Sequence, residues 1–453
     1  MTTGQTTYAR RIGTFSATML VIGGIVGSGI FLNPAIVARR VGTTDLTVLA
    51  WVLGGVIALL GAFCYAELGA QRPQAGGGYV YVRDAFGRLP AFLYGWALLL
   101  VIATGAEAAV AVTFARYTAA LLALPPRADV PIAVTAIVAL SVVNVLGVRF
   151  GAWTQNVFTL LKLAAIAVVI VAGLLIAKAA PAPGAFAGPF AALTPPVGLG
   201  ATVVAIGAAL VPVMFASGGW QQTNFVAEEM IEPEKSLPRA LVLGTSIVVV
   251  VYVLANLAYT RALTTPGLAA SAAPAADVLG AALGSRGRAA VSFGIACSTF
   301  GFLNLVILVT PRVYQAMAAD GAFFPALARL HPRYRTPAAA IALQGVWATV
   351  LALSGTYEQL NDYVVFGDWI FFGLCGVAVF VFRRREGAPA RFRVPLWPLT
   401  PALFVLAALY VMISSVGANP RNAAIGTALL LAGVPAYLWW RRAARAGRAG
   451  EQG

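Results

Sequence analysis

The chain is a succession of long apolar runs separated by short connections that hold most of its arginines. A helix that crosses the hydrocarbon of a bilayer needs about 20 mostly apolar residues. By that rule twelve runs qualify: 12–41, 46–70, 89–122, 130–146, 151–177, 198–230, 237–260, 289–317, 337–353, 357–382, 396–416 and 423–440. A Pro/Gly/Ala-rich connection at 181–196 separates the fifth from the sixth. Hydrophobic residues make up 60% of the sequence and charged ones only 10%, which places the chain in the polytopic membrane class. No polar block is long enough for a separate soluble domain, so residues 1–453 read as one transmembrane domain. The first run is too long, and too clearly continued past Pro34, to be a cleavable signal peptide.

A net charge of +15 suggests a nucleic-acid partner, but the distribution of the charge argues against one. With the N-terminus placed in the cytoplasm, roughly two thirds of the lysines and arginines fall on the cytoplasmic side of the twelve runs. That bias predicts both termini inside and an even number of spans. Cys64, Cys297 and Cys375 all lie in apolar runs and read as small hydrophobes, with no disulfide or metal framework. The single histidine, His331, sits beside Pro332 in a basic loop. There is no HExxH, no paired aspartate motif and no nucleophile–base set, which excludes an enzyme reading. There is no phosphate-binding loop, so ATP is not the direct driver, and no cofactor is implied.

Two of the runs are poorly built as helices. The first contains Gly23-Gly24-Ile25-Val26-Gly27-Ser28-Gly29-Ile30-Phe31, and each interior glycine costs about 1 kcal/mol relative to alanine. Small residues also permit close helix packing. Non-helical backbone at membrane depth, however, is tolerated only where it is buried in protein or lines a cavity. The sixth run carries a second interruption, Phe215-Ala216-Ser217-Gly218-Gly219-Trp220. Breaks in the first and sixth runs divide the first ten into two halves of five. An odd number per half makes the second half start from the opposite side of the membrane. The expectation is an all-α integral membrane protein of about twelve transmembrane helices, with a LeuT-type 5+5 inverted repeat and helices one and six broken. The repeats cover about 12–177 and 198–382, and helices eleven and twelve, about 395–441, follow them.

Three motifs carry a family resemblance. The first is Gly27-Ser28-Gly29-Ile30-Phe31 followed by Pro34. The second is Phe215-Ala216, Gly218-Gly219-Trp220 and Asn224-Phe225-Val226-Ala227-Glu228-Glu229, then Pro233-Glu234-Lys235 and Pro238-Arg239-Ala240. The third runs from Arg312-Val313-Tyr314 through Met317 to Asp320-Gly321 and Pro325. In this order and on these runs, the chain resembles the amino acid–polyamine–organocation superfamily. More narrowly it is similar to the L-type amino-acid transporter-like branch and its bacterial members. The resemblance implies a secondary amino-acid transporter working by alternating access, with an amino-acid substrate, the lipid bilayer as its surroundings and no ATP. Eukaryotic members of the branch pair with a heavy chain through an external cysteine. None lies in an external loop here, so no disulfide-linked heavy chain is expected. The Ala/Val/Arg bias fits a GC-rich bacterium and hence a bacterial cytoplasmic membrane.

The broken runs supply the chemistry an amino acid needs. The start of the second half of helix one exposes unpaired N–H groups and the positive end of a dipole. Ser28, Gly29 and Ile30 can donate to a carboxylate, with Gly27 and Gly29 allowing close approach. Carbonyls freed at Gly24 and Ile25, and at Phe215, Ala216 and Gly218, can accept from an ammonium. Gly218 leaves room for a side chain, and Phe215 and Trp220 are candidates for a lid or wall. Ser217 stands where many relatives have a tyrosine, which bears on the size of the pocket. Lys162 lies mid-run, far from a helix end where it could snorkel, and costs about 2.5–3.5 kcal/mol to insert. The resemblance implies that its ammonium replaces a sodium ion, bonding carbonyls of the helix-one break and a hydroxyl of helix eight, Ser298 or Thr299. Proton release is the rival role. Asp368 and Glu107 are intramembrane acids that can bind a cationic side chain, carry a proton or pair with a polar neighbour. Glu67, Glu228 and Glu229 are assigned to a cytoplasmic gate, with Arg10, Arg11 and Arg239 as partners. The reading is sodium-independent transport of neutral L-amino acids, by exchange or with protons. A cationic amino-acid or polyamine carrier, or a sensor without flux, remain as alternatives.

Overall fold

The computed structural model describes residues 7–176, 196–354, 357–387, 391–418 and 420–450. The connection expected at 181–196 lies outside them except for its last residue. Every regular element among the described residues is helical, apart from one isolated bridge between Ile12 and Met230. Eight helices are long and apolar enough to cross a membrane, and a ninth span is the bent pair Thr14–Ile25 and Gly29–Val41. The protein is therefore a multi-pass membrane protein.

Local sequence sets the joints. Gly42 ends Gly29–Val41 in the left-handed conformation, with φ 72°, which a residue without Cβ adopts at little cost. The next residue, Thr43, caps Thr44–Gln71 by accepting from the Leu46 amide at 3.3 Å. Two residues thus reverse the chain between adjacent spans. The fourth and ninth runs are the shorter helices Asp129–Val145 and Ala338–Ser354, and the tenth is Tyr357–Glu386.

Two features differ from the sequence expectation. Pro233–Ala270 continues ten residues past the expected end at 260, through a left-handed Thr264 with φ 60°. A further short helix, Pro274–Leu283, follows it. The last run is one candidate span, Ala423–Arg441, interrupted only by a single turn residue at Ala432 between Pro420–Leu431 and Gly433–Gly450. Periodicity cannot mark these points, because the apolar composition continues across them.

The centre of the bundle is built around the broken first span. Nine consecutive residues of Thr14–Ile25, from Ala17 to Ile25, are buried. Thr14–Ile25 packs against Pro233–Ala270, Val148–Val171 and Ser285–Val309, while Gly29–Val41 packs against Leu199–Ser217. The exposed apolar residues, such as Val138, Trp153, Val204 and Leu406, form the perimeter that hydrocarbon covers.

Candidate functional site

Thr14–Ile25 stops at Val26, whose backbone is extended, and the helix restarts at Gly29. The sixth helix, Leu199–Ser217, stops at an extended Gly218, and a 3₁₀ helix, Trp220–Glu229, follows Gly219. The two breaks touch. Gly219 has φ 100°, and a Cβ there would lie 2.1 Å from the Gly24 carbonyl oxygen. A Cβ on Gly24 would in turn meet the Gly219 oxygen at 2.7 Å. Only glycine at both positions allows this backbone approach.

Between them opens a cavity of about 310 Å³, within the size range of small-molecule sites, about 300–1,000 Å³. Gly24, Ile25, Gly27, Ser28 and Gly29 line it from one break, and Phe215, Ala216 and Gly218 from the other. Phe302, Trp369 and Phe372 add an aromatic wall, and Asp368 lies on the same wall. Three expected residues take other positions. Trp220 is turned away and packs edge-on against Tyr65 with centroids 5.0 Å apart, and beside Phe372 at 5.6 Å. It supports the wall from behind instead of forming a lid. Ser217 faces a separate small space beside Trp51, Thr245 and Tyr252. The Ile30 side chain is fully buried, leaving its amide, in the first turn of Gly29–Val41, as its contribution.

The carbonyls differ in part from expectation. Ile25 and Ala216 are not free: the Tyr252 hydroxyl donates to the Ile25 oxygen at 3.0 Å and to the Ala216 oxygen at 3.1 Å. One phenol from the seventh span thus joins both breaks. Lys162 is fully buried, and its Nζ donates to the Gly23 oxygen at 3.0 Å and the Val26 oxygen at 2.6 Å. The hydroxyl expected on the lysine is instead on the carbonyls. Ser298 Oγ donates to Val26 at 3.4 Å and Gly27 at 3.2 Å. Thr299 bonds back to Ile295 and Ala296 of its own helix.

A polar ladder that sequence reasoning missed continues from Lys162. Thr159 Oγ1 donates to the Met19 oxygen, Gln155 Nε2 donates to Thr159, and Asn304 Nδ2 donates to Gln155 and to the Gly151 oxygen. The spacing 155, 159, 162 places these residues on one helical face, and that was the signal available.

Glu107 is outside the cavity, accepting from Gln344 Nε2 at 2.8 Å. The other acids meet different partners from those expected. Glu67 takes both Nε and Nη2 of Arg383, and also the Val394 amide at 2.6 Å. Glu229 pairs with Arg312 at 2.7 Å, both fully buried. Glu228 accepts from the Ala75 amide at 3.2 Å. Arg10, Arg11 and Arg239 are exposed and pair with none of the three among the described residues. The pairing arginines come from positions 312 and 383, which only the tertiary structure brings to positions 67 and 229.

A sequence profile of the amino acid permease family matches residues 12–436. The chain belongs to that family. It is 33% identical to the large neutral amino acids transporter small subunit 2 of Mus musculus, over 97% of this chain and 83% of the relative. It is 32% identical to the serine/threonine exchanger SteT of Bacillus subtilis (strain 168), over 94% and 96%. It is 31% identical to the b(0,+)-type amino acid transporter 1 of Homo sapiens, over 92% and 84%. In this permease Tyr252 is the residue that ties the two breaks together. Tyr252→Phe keeps the ring and removes the donor, and the Ile25 and Ala216 carbonyls then lose the hydroxyl they share. A loss of about 1–3 kcal/mol corresponds to a fall of roughly tenfold to a hundredfold in exchange rate, measured in reconstituted vesicles. An unchanged rate would assign the hydroxyl a purely structural part.

Proposed function

We propose that this permease is a sodium-independent exchanger of neutral L-amino acids in a bacterial cytoplasmic membrane, with both termini cytoplasmic. The proposed architecture is twelve spans in a 5+5 inverted repeat, about 12–177 and 198–382, with two further helices. The observation that carries the reading is the pair of broken helices in backbone contact around a cavity, with the Lys162 ammonium held on Gly23 and Val26 behind them. A fixed ammonium on carbonyls of an unwound turn supplies the charge a bound sodium ion would bring. The substrate carboxylate is assigned to the amides of Ser28, Gly29 and Ile30, where the helix Gly29–Val41 begins and its dipole is positive. The substrate ammonium is assigned to the carbonyls of Gly24, Phe215 and Gly218, and to the second lone pairs of Ile25 and Ala216, which already share the Tyr252 proton. Hydrogen bonds to charged groups contribute roughly 1.5–3 kcal/mol each, so several convergent bonds offset the dehydration of a small zwitterion. The relatives named as an exchanger and as a large neutral amino acids transporter point the same way.

The ion pairs Glu229–Arg312 and Glu67–Arg383, with the Glu228–Ala75 contact, are assigned to the cytoplasmic gate, here closed. Opening exchanges these pairs for water. All three cysteines are buried, which supports a carrier without a disulfide-linked heavy chain.

The test is reconstitution of purified protein and uptake of a panel of labelled amino acids, with and without sodium or proton gradients and with internal substrate. The expected result is flux independent of both gradients and strongly stimulated by internal neutral amino acid. Flux driven by a proton gradient without internal substrate would replace exchange with symport. Absence of flux for every substrate would remove the transporter reading.

A further inference from the structure

We infer that the groove between the helices Asp129–Val145 and Ala338–Ser354 holds one phospholipid with an anionic headgroup, its acyl chain in the groove and its phosphate on the basic loop at the groove's end. The site is separate from the central cavity and does not depend on what that cavity carries. The groove measures about 520 Å³ and opens on the perimeter of the bundle, where Val138, Val142, Val346 and Val350 are exposed along it. Gly345 keeps its floor low, since a Cβ there would lie 3.0 Å from Ser141 Oγ. The Thr349 hydroxyl in the lining is spent on the Gly345 oxygen at 2.7 Å, so the surface is nearly all hydrocarbon. From Val134 to Leu146 the groove runs about 18 Å at about 1.5 Å per residue, close to the hydrocarbon depth of one leaflet, about 15 Å.

Apolar lining alone admits any lipid tail. The charge at the Leu146 end selects among lipids. Thr336 Oγ1 donates to the Val145 oxygen at 2.8 Å and fastens the loop 331–336 to the groove. The loop is folded on itself: the His331 amide donates to the Thr336 oxygen and the Arg335 amide to the His331 oxygen, both at 2.8 Å. Arg333 and Arg335 on this loop, and Arg149 just beyond Leu146, are exposed and make no ion pair among the described residues. Neither 130–227 nor 321–357 contains an aspartate or a glutamate, so neither segment supplies a counter-charge of its own. A phosphate does, and guanidinium groups match its oxygens in geometry as well as charge. In the topology proposed above this end is cytoplasmic, the side on which anionic lipids attract basic residues. A second copy of the chain docked groove to groove would bring the same unpaired arginines together, which disfavours it as the occupant.

The experiment is native mass spectrometry of the full chain, purified in detergent and titrated with phosphatidylglycerol or with phosphatidylcholine of the same acyl chains. The expected result is one phosphatidylglycerol retained at least about tenfold more tightly than phosphatidylcholine, because each arginine near the headgroup is worth about fivefold. Ala342 is exposed and lines the groove, so Ala342→Trp fills the space from its open side and removes the retained lipid. Combining Arg149→Gln, Arg333→Gln and Arg335→Gln leaves the groove intact and brings phosphatidylglycerol down to the phosphatidylcholine level. If Ala342→Trp does not fold, the triple variant decides alone. The inference is overturned if wild-type protein retains the two lipids equally, as ordinary surrounding lipid would be. It is also overturned if the triple variant keeps the preference, or if folded Ala342→Trp still holds the lipid. A lipid-free dimer that Ala342→Trp splits would overturn it in favour of a second copy. The readout is bound mass, so a protein that transports nothing would sink the transporter reading and leave this result standing.

Discussion

Lys162→Met is expected to reduce exchange at least a hundredfold while leaving a folded protein. Methionine approximates the lysine stem in length and apolar character, but it carries no donor. The Gly23 and Val26 carbonyls then lose bonds to a charged group, worth about 1.5–3 kcal/mol each. Together that is about 3–6 kcal/mol taken from the state in which the first break is ordered, or roughly two to four powers of ten in its population. Ser298 still donates to Val26 and Gly27, which moves the expectation toward the lower end. The rest of the helix gains stability, since a buried ammonium is replaced by an apolar chain. Thermal unfolding in detergent should therefore hold or rise while exchange falls. Transport at the wild-type rate would remove Lys162 from the mechanism.

The second large effect is at the buried Arg312–Glu229 pair, which the proposed function assigns to the cytoplasmic gate. Arg312→Met leaves the Glu229 carboxylate buried without its partner, a loss of about 3–5 kcal/mol in comparable pairs. Arg312 also donates to the Leu308 oxygen, which loses that bond at the same time. The double variant Arg312→Met with Glu229→Gln removes the uncompensated charge and should recover most of the stability. Thermal unfolding of the wild type, both singles and the double gives the coupling energy directly. Strictly additive losses would mean that the two side chains act independently, and the gate assignment would lose its central contact. Exchange by the double variant should remain below wild type, because stability returns without the latch.

The fold was legible to the extent that it depends on apolar length and on glycine. The long runs and the breaks at Gly27 and Gly218 follow from how a helix fails when backbone entropy and missing side chains accumulate. Lys162 was legible because a cation has almost no reason to lie in the middle of an apolar run. Less legible were groups whose cost is small when unpaired in sequence but decisive when paired in space. Tyr252 looks like any aromatic of a membrane helix until its hydroxyl is seen between Ile25 and Ala216. Arg312 and Arg383 look like the basic ends of helices, and only the packing reveals that Glu229 and Glu67 claim them. Trp220 shows the opposite error. Its place beside the second break suggested contact with a ligand, but the chain turns at Gly219, φ 100°, and sends the indole into the aromatic cluster behind the wall.

The Tyr252 hydroxyl carries one proton, yet two carbonyls approach it. At any instant one of Ile25 and Ala216 is held fully and the other is underserved. That imbalance persists through every thermal fluctuation of the empty protein, because no rotation of a single O–H can satisfy both acceptors. A ligand ends it by bringing a proton to the neglected acceptor. An α-ammonium would bring three, enough for that acceptor and for cavity-lining residues' carbonyls beside it such as Gly24 and Phe215, whereas an α-hydroxyl would bring one and leave those others unserved. Discrimination between an amino acid and the corresponding hydroxy acid therefore follows from counting protons, before shape or charge is considered.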